Sequence, residues 1–558
     1  MDETLGRIER RSRKSIFHAL LAASHKKGAN AVALIDGDGR ELTYKEIIRA
    51  SFAIGGPLAR ATSPGEKVGI MLPTGAGAVI ALMAAFSQGR TPAMFNFTSG
   101  ARNLKAAARA AEVTKVVTAH KFIEIGKLEG LVKDLEGAVQ FLYLEDMKAA
   151  LTPVDKLRAV AGPMLPRFFS ASPDPDSLGI ILFTSGTEGD PKGVALSHAN
   201  ILSNIYQIAE HVKILPTDIF FNPLPTFHCY GLTAGTLWPI LNGYKVVLHP
   251  SPLQTKIVPQ RIFETGSTVL FATDTFLQQY MRASEDGGMS SLRIAVCGAE
   301  RVKDETRQAA ERRFGFEVLE GYGVTEGSPV LAANQPGDIR AGTVGKLLPG
   351  VEWRLEEVEG LTGGKRLFVK GPNIMQGYIT PDAPGVVTPP EGGWHDTGDI
   401  VAFDDDGYMA IRGRMKRFAK IGGEMVSLAV VENCATAVWP DNMHAAAILP
   451  DDKKGEQIVL VTDRPSPDRT QLLGWAQNHG VPELAVPKKI VSVAEVPVLG
   501  TGKLDYVAIQ RLAADGIGLT AEQKREREIR LGEIDARLSP QNIPAAAIDP
   551  APLKRAAE

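Results

Sequence analysis

Cysteine is scarce in this chain. Three occur among 558 residues, Cys229, Cys297 and Cys434, and no two form a CxxC pair. That argues against a zinc site and a disulfide framework, and suits a reducing cytosol. Charge of one sign is lacking too. The 62 Lys and Arg nearly balance 64 Asp and Glu, a net charge of −2, so composition gives no case for binding nucleic acid or membrane by bulk charge. Long hydrophobic runs are missing: the most apolar stretch, Ala76 to Phe86, is too short to span a bilayer. The N-terminal segment carries no secretory cleavage pattern. Its basic, helix-compatible sequence suits either contact with an anionic membrane surface or a solvated helix face. There is no internal repeat, no coiled-coil heptad and no GxxxxGK[ST] loop.

What is present is alternation. Between residues 30 and 330, short apolar runs such as Lys67–Leu72, Thr114–Thr118, Leu178–Phe183, Lys245–Leu248, Thr268–Phe271 and Leu292–Val296 are separated by helical stretches. Strand followed by helix, many times over, predicts an α/β architecture with largely parallel sheets. Residues 340–412 turn rich in Gly and short strands, as in Arg366–Lys370 and Tyr408–Arg412. A basic stretch, Arg412–Lys420, precedes a small α+β unit over 424–515. The expected organisation is an N-terminal part over 1–415, with a β-rich subdomain about 340–415, then a mobile C-terminal domain over 416–515. A tail over 516–558 is expected to be helical and then poorly ordered.

The segment Thr184-Ser185-Gly186-Thr187-Glu188-Gly189-Asp190-Pro191-Lys192-Gly193 leaves the end of an apolar strand. Its glycines let backbone N–H groups turn toward an anion. Thr184, Ser185 and Thr187 add hydroxyl donors, and Lys192 adds a positive charge. This is chemistry for the β- and γ-phosphates of ATP, although a Gly-rich turn alone would look similar. Gly321-Tyr322-Gly323-Val324-Thr325-Glu326 places an aromatic face between glycines, suited to stacking a purine, beside a carboxylate suited to Mg²⁺. Gly298-Ala299-Glu300 ends another strand and can bring backbone to an adenine edge. Asp399, after a turn, can accept ribose hydroxyls.

Taken together these segments resemble the adenylate-forming superfamily of acyl-CoA synthetases, firefly luciferase and nonribosomal peptide adenylation domains. Further matching elements are Leu42–Tyr44, Pro223–Gly231, Gly371–Tyr378, Gly413-Arg414 and Gly500-Thr501-Gly502-Lys503, all in the family's order. The phrases Arg417–Ser427 and Glu483–Pro487, together with Glu188, are similar to the synthetase half of the bifunctional 2-acylglycerophosphoethanolamine acyltransferase/acyl-[acyl-carrier-protein] synthetase family. None of the 10 histidines begins the HxxxxD motif of that family's acyltransferase half, so a stand-alone synthetase is expected.

The resemblance implies a large N-terminal domain of stacked α/β subdomains plus a β-rich subdomain, with a small mobile C-terminal domain. It implies a ligase that uses ATP and Mg²⁺ to form a fatty acyl-AMP and passes the acyl group to the phosphopantetheine thiol of acyl carrier protein. A long-chain acyl-CoA synthetase is the alternative, and a non-catalytic acyl or nucleotide sensor a further one. An amino-acid adenylation domain, which would hold an acidic group in its pocket to pair the α-amine, is the less expected reading. By resemblance, Lys503 bridges the carboxylate and the α-phosphate, Thr325 touches the α-phosphate and His228 gates the thiol tunnel. Glu326, with Thr184 nearby, holds Mg²⁺. The loop residues Thr184, Ser185, Gly186, Thr187, Gly189 and Lys192 grip phosphate. Gly298, Ala299, Glu300, Gly321, Tyr322 and Gly323 surround adenine, and Asp399 and Arg414 hold the ribose. Lys416 is the implied hinge, and Gly422 and Gly423 line the thiol tunnel. The basic run from Arg412 to Lys420 would receive an acidic carrier protein. The location expected is cytoplasmic, with peripheral contact at the inner membrane as an option and no nucleic-acid partner.

Overall fold

A computed structural model describes residues 3–184, 191–359, 361, 363–421, 424–451, 455–498 and 504–515. These fall into two compact units. One comprises residues up to Val351 together with Lys370–Gly393; the other comprises Glu352–Val369 and the described residues from Trp394 onward. The fold is α/β, as the alternation predicts.

The first unit holds two large sheets. One runs in the order Lys346–Leu347, Val330–Ala333, Glu317–Gly323, Ile294–Cys297, Val269–Ala272, Ile219–Asn222, Lys245–Leu248, Val32–Ile35, Glu41–Thr43. Its centre is parallel, from Glu317–Gly323 through to Val32–Ile35. The other runs Ala383–Thr388, Gly377–Thr380, Lys192–Ser197, Leu178–Thr184, Thr91–Met94, Lys67–Ile70, Lys115–Thr118, Gln140–Tyr143. Its strands are apolar because helices cover them. Ala76–Ser87 is the extreme case, a helix apolar on every face and buried along nearly all its length. Helix starts follow the local chemistry. Thr43 and Glu46 form a reciprocal capping box before Tyr44–Ala61, and Ser197 with Asn200 does the same for His198–His211.

The second unit contains a four-stranded antiparallel sheet in the order Glu352–Glu356, Lys365–Lys370, His395–Phe403, Met409–Arg414. Its other sheet has Glu424–Ser427, Phe418–Ile421, Gly455–Thr462 and His444–Asp451, with Lys489–Ser492 paired to Gly455–Thr462. The Gly-rich stretch 340–412, expected as one β-rich subdomain, is instead shared among three sheets. Lys346–Leu347 completes the first large sheet, and Gly377–Thr388 continues the second by pairing with Lys192–Ser197. Short strands satisfy their backbone groups wherever an open edge lies, and composition does not say which edge that is. No described helix is long and apolar enough to cross a membrane. The tail expected over 516–558 lies outside the described residues.

Two buried histidines make the first unit sensitive to acid. The His198 ring accepts from the Ile16 N–H at 3.3 Å and meets the Phe86 ring edge-on. His249 Nε2 lies 2.9 Å from Gln254 Oε1. Burial, the largest cause for each, lowers both pKa values to about 4. The unfolded chain, with an ordinary histidine value, therefore takes up the proton first as pH falls. Stability is full above about pH 6.5 and declines toward pH 4, by about 1.4 kcal/mol per pH unit per histidine. The stability difference between His198→Gln and wild type should accordingly shrink as pH falls through that window, read from melting curves at stepped pH. A difference independent of pH would contradict this.

Candidate active site

The strands Leu178–Thr184 and Lys192–Ser197 are antiparallel, with Thr184 opposite Lys192 and Phe183 opposite Gly193. The loop residues Ser185, Gly186, Thr187, Glu188 and Gly189 lie outside the described residues. On the next strand, Tyr378 stands opposite Val194. The Lys192 ammonium sits 5.2 Å from the centroid of the Tyr378 ring, a cation–π contact. The Tyr378 hydroxyl donates to Glu326 Oε1 at 2.5 Å. Both flanks of the loop, a phenol and the carboxylate expected to meet Mg²⁺ are thus connected.

The segment Gly371–Tyr378 holds this arrangement in place. The Met375 N–H donates to the Glu326 carbonyl at 2.8 Å, and the Gln376 N–H to the Ala195 carbonyl at 2.9 Å. Buried Asn373 donates to the Gly327 carbonyl, and Ser328 Oγ donates to the Asn373 carbonyl, each at 2.8 Å. The Thr325–Gly327 turn is therefore tied to the strand beside the phosphate loop. Gly323 is required at the entry to that turn: a Cβ there would stand 2.2 Å from the Pro329 carbonyl oxygen. Tyr322 lies opposite Ala332 and is buried.

Thr325 joins a second group. Its Oγ1 lies 3.3 Å from Cys229 Sγ, which is 3.9 Å from His228 Nδ1. The Tyr230 N–H donates to His228 Nδ1, so that nitrogen acts as acceptor and a neutral ring carries its proton on Nε2. The Tyr230 hydroxyl donates to the Val296 carbonyl at 2.7 Å, and burial holds its pKa well above the usual value. The Tyr230 ring edge lies 3.2 Å from where a Cβ on Gly298 would be, which explains the glycine. Next to it Ala299 has φ of +69°, a left-handed backbone uncommon outside glycine. Glu300 turns to the neighbouring helix: its Oε2 accepts from the Thr275 N–H at 3.0 Å, in the first turn of Asp274–Ala283.

In the second unit, Asp399 and Arg414 face each other across adjacent strands. Arg414 Nε donates to Asp399 Oδ1 at 2.8 Å; the carboxylate is buried and the arginine exposed. Lys416 is exposed in the turn Met415–Arg417. Arg417 donates to Glu432 at 2.7 Å and lies 3.8 Å over the Tyr506 ring. Arg414 and Arg417 are therefore paired within the chain, and Arg412, Arg414, Lys416 and Lys420 are all exposed. Lys503, Gly422 and Gly423 lie outside the described residues.

Among the described residues no three or more His, Cys, Asp or Glu side chains gather as a metal cage. Glu326, linked through Tyr378 to Lys192, is of the donor type that suits Mg²⁺ carried on phosphates, because that ion keeps several waters and takes one or two protein carboxylates. Tyr378 and Cys229 were not singled out from the sequence as site residues. Tyr378 closes the Gly371–Tyr378 motif, and that placement is the signal that could have found it.

A family model described as AMP-binding enzyme matches residues 21–379. A probable CoA ligase of Humulus lupulus is 30% identical over 348 residues, covering 59% of this chain and 65% of that protein. The medium-chain fatty-acid–CoA ligase of Escherichia coli is 28% identical over 356 residues, 60% of this chain and 61% of that one. In both, this chain spans less than two thirds of the relative's length. A longer match, 26% over 518 residues, covers 88% of the chain and 92% of the 2-hydroxy-7-methoxy-5-methyl-1-naphthoate–CoA ligase of Streptomyces carzinostaticus. The O-succinylbenzoate CoA synthetase of Bacillus subtilis, solved with AMP, has the same fold. Its TM-score is 0.75 at 22% identity, over 88% of this chain and 97% of that one. ATP-bound MatB of Rhodopseudomonas palustris gives 0.75 at 23% identity, over 89% and 99%. With the family's match running through the phosphate loop, Glu326 and Tyr378, this chain belongs to the AMP-binding enzyme family.

Proposed function

We propose that this chain is an ATP- and Mg²⁺-dependent ligase that activates a fatty acid as its acyl-adenylate and transfers the acyl group to a phosphopantetheine thiol. The observation that carries this reading is the linked set of Lys192, Tyr378 and Glu326 beside the loop. It combines a cation for phosphate with a braced carboxylate for Mg²⁺. Relatives named as CoA ligases, and fold neighbours solved with ATP, support it.

In the first step a carboxylate oxygen attacks the α-phosphorus. The acyl C–O–P bond forms, the bond from the α-phosphorus to the bridging oxygen breaks, and pyrophosphate leaves. Two anions must meet, so positioning and charge neutralisation dominate. Mg²⁺, held by Glu326 with Thr184 nearby, would neutralise phosphate charge. Lys192 and the loop residues Ser185, Gly186, Thr187 and Gly189 would hold the leaving pyrophosphate. Thr325 would touch the α-phosphate, and Lys503 would bridge it to the carboxylate. Tyr322 and Gly298–Glu300 would frame adenine, with Asp399 and Arg414 at the ribose.

In the second step a thiol gives up its proton to solvent as its sulfur attacks the acyl carbon; the C–S bond forms, the acyl C–O bond to the phosphate breaks and AMP leaves. His228 would gate the thiol's approach, with Gly422 and Gly423 lining it. A domain boundary at Lys416 would let residues 416–515 turn between the steps, withdrawing Lys503. The alkyl chain would lie along Tyr230-Gly231, Phe271–Thr275 and Gly323–Gly327, segments apolar or small apart from Glu326 and Asp274, whose carboxylate accepts from Gln278 and the Lys303 N–H; such a lining gains about 0.8 kcal/mol per buried CH₂.

Two thiol acceptors have separate support. The relatives' names favour CoA. The phrases Arg417–Ser427 and Glu483–Pro487, with Glu188 and the exposed Arg412, Lys416 and Lys420, favour acyl carrier protein. Pure protein assayed with fatty acid, ATP and both acceptors in competition decides between them. A higher kcat/KM with carrier protein supports the carrier reading, and a higher value with CoA overturns it. No thioester with either acceptor contradicts the ligase itself.

A further inference from the structure

An apolar face of the first unit is left exposed among the described residues. The helices Pro153–Ala161 and Pro166–Phe169 and the turn between them expose Val154, Leu157 and Leu165 by 60% or more, Met164 by 79% and Phe168 by 81%. The exposure does not come from a loose segment, because the opposite face is firmly seated. Thr152 and Asp155 form a capping box at the start of the first helix. Buried Asp155 pairs with Arg60 at 2.8 Å, and a Cβ on Gly56 would stand 1.9 Å from its Oδ1. Ala159 is buried, and Gly162 lies against the Phe52 ring. Phe169 meets Phe52 edge-on at 6.4 Å, while its neighbour Phe168 points outward. Residues three apart, Val154, Leu157 and Val160, share the outer helical face.

Between Asp146 and Asp174 the exposed charge has one sign. From residue 147 to 173 the cations are Lys148, Lys156, Arg158 and Arg167, and the only acid is Asp155, which is buried. Lys14, on the adjoining N-terminal segment, has its pKa lowered by burial and by the nearby charges of Arg11 and Arg167, so more positive charge lies alongside. Asp176, further along the chain, is paired with Arg13. Outward apolar side chains with exposed cations among them match an interfacial surface: the apolar groups enter the acyl boundary and the cations meet anionic headgroups.

We propose that the helices Pro153–Ala161 and Pro166–Phe169, with Lys156 and Arg167, form a docking surface for an anionic lipid bilayer. It lies apart from the basic N-terminus, for which the sequence offered membrane contact beside a solvated helix face, and it does not depend on the ligase reading. A second copy of the chain, or an acidic protein, would be the competing occupant.

The test is sedimentation of the full chain with vesicles of pure phosphatidylcholine and of an equal mixture with phosphatidylglycerol. Wild type should partition onto the mixed vesicles and far less onto the neutral ones. Met164→Ser with Phe168→Ser should weaken partitioning by at least roughly tenfold. Lys156→Ala and Arg167→Ala should each weaken it by roughly fivefold. All four side chains are exposed, so melting temperatures should stay near wild type and confirm that the variants fold. The proposal is overturned if wild type ignores the mixed vesicles, or if the folded variants partition like wild type. It is also overturned if the Met164/Phe168 variant turns a dimer into a monomer with vesicle binding unchanged.

Discussion

Replacing Lys503 with Ala should lower fatty-acid-dependent ATP–pyrophosphate exchange on the order of 100- to 1000-fold, the usual loss for one group that neutralises transition-state charge. The lysine is assigned to the first step alone. Thiolysis of an acyl-adenylate supplied ready-made should therefore change far less, and measuring both on one preparation separates the steps. On either side of residues 499–503, Val498 and Leu504 pair as an antiparallel bridge, and the Asp505 N–H donates to the Pro497 carbonyl at 2.9 Å. Asp505 also receives the Ala508 N–H at 3.0 Å in the helix that follows. Equal losses in both steps would mean that Lys503 supports structure rather than adenylation.

Glu326→Gln should be the second large effect, about 100-fold in adenylation, with a higher Mg²⁺ concentration needed for half-maximal rate. The substitution keeps the side chain's size and removes the charge that would hold the ion. Tyr378→Phe provides the graded comparison. It removes the 2.5 Å hydrogen bond to Glu326 and keeps the aromatic ring beside Lys192. Such a bond to a charged group contributes about 1.5–3 kcal/mol, which sets an upper limit of roughly 10- to 150-fold; a loss toward the lower end is expected because the carboxylate itself remains, with a smaller change in Mg²⁺ dependence. Magnesium titrations of the three proteins give the order. A Glu326→Gln enzyme with unaltered Mg²⁺ dependence would remove this carboxylate from the metal's surroundings.

Much of this site was legible because its signals are local. Leu178–Phe183 reads as a strand from its apolar run, and the loop after it reads as phosphate chemistry from its glycines, hydroxyls and lysine. The parallel centre of the first large sheet follows from strand and helix alternating along the chain. Contacts between distant residues were not legible. Tyr378 meets Glu326 from 52 positions away, and Cys229 meets Thr325 from 96. Neither separation leaves a periodic trace. The stretch 340–412 was readable as strands but not as a division among three sheets, because an open edge accepts any strand with free backbone groups. Ala299 shows another limit. Nothing about an alanine announces a left-handed backbone; the neighbouring Gly298, crowded by Tyr230, was the only hint in the sequence.

The central claim is that Thr184–Gly193, together with Glu326, grips the pyrophosphate side of ATP while a fatty carboxylate attacks the α-phosphate. Exchange of labelled pyrophosphate into ATP by the wild-type chain tests it most directly. The account predicts exchange that requires both Mg²⁺ and a fatty acid, rises with some chain lengths over others, and needs no thiol. Absence of exchange with every acid from short to very long chain, in a folded and Mg²⁺-supplied preparation, would contradict it.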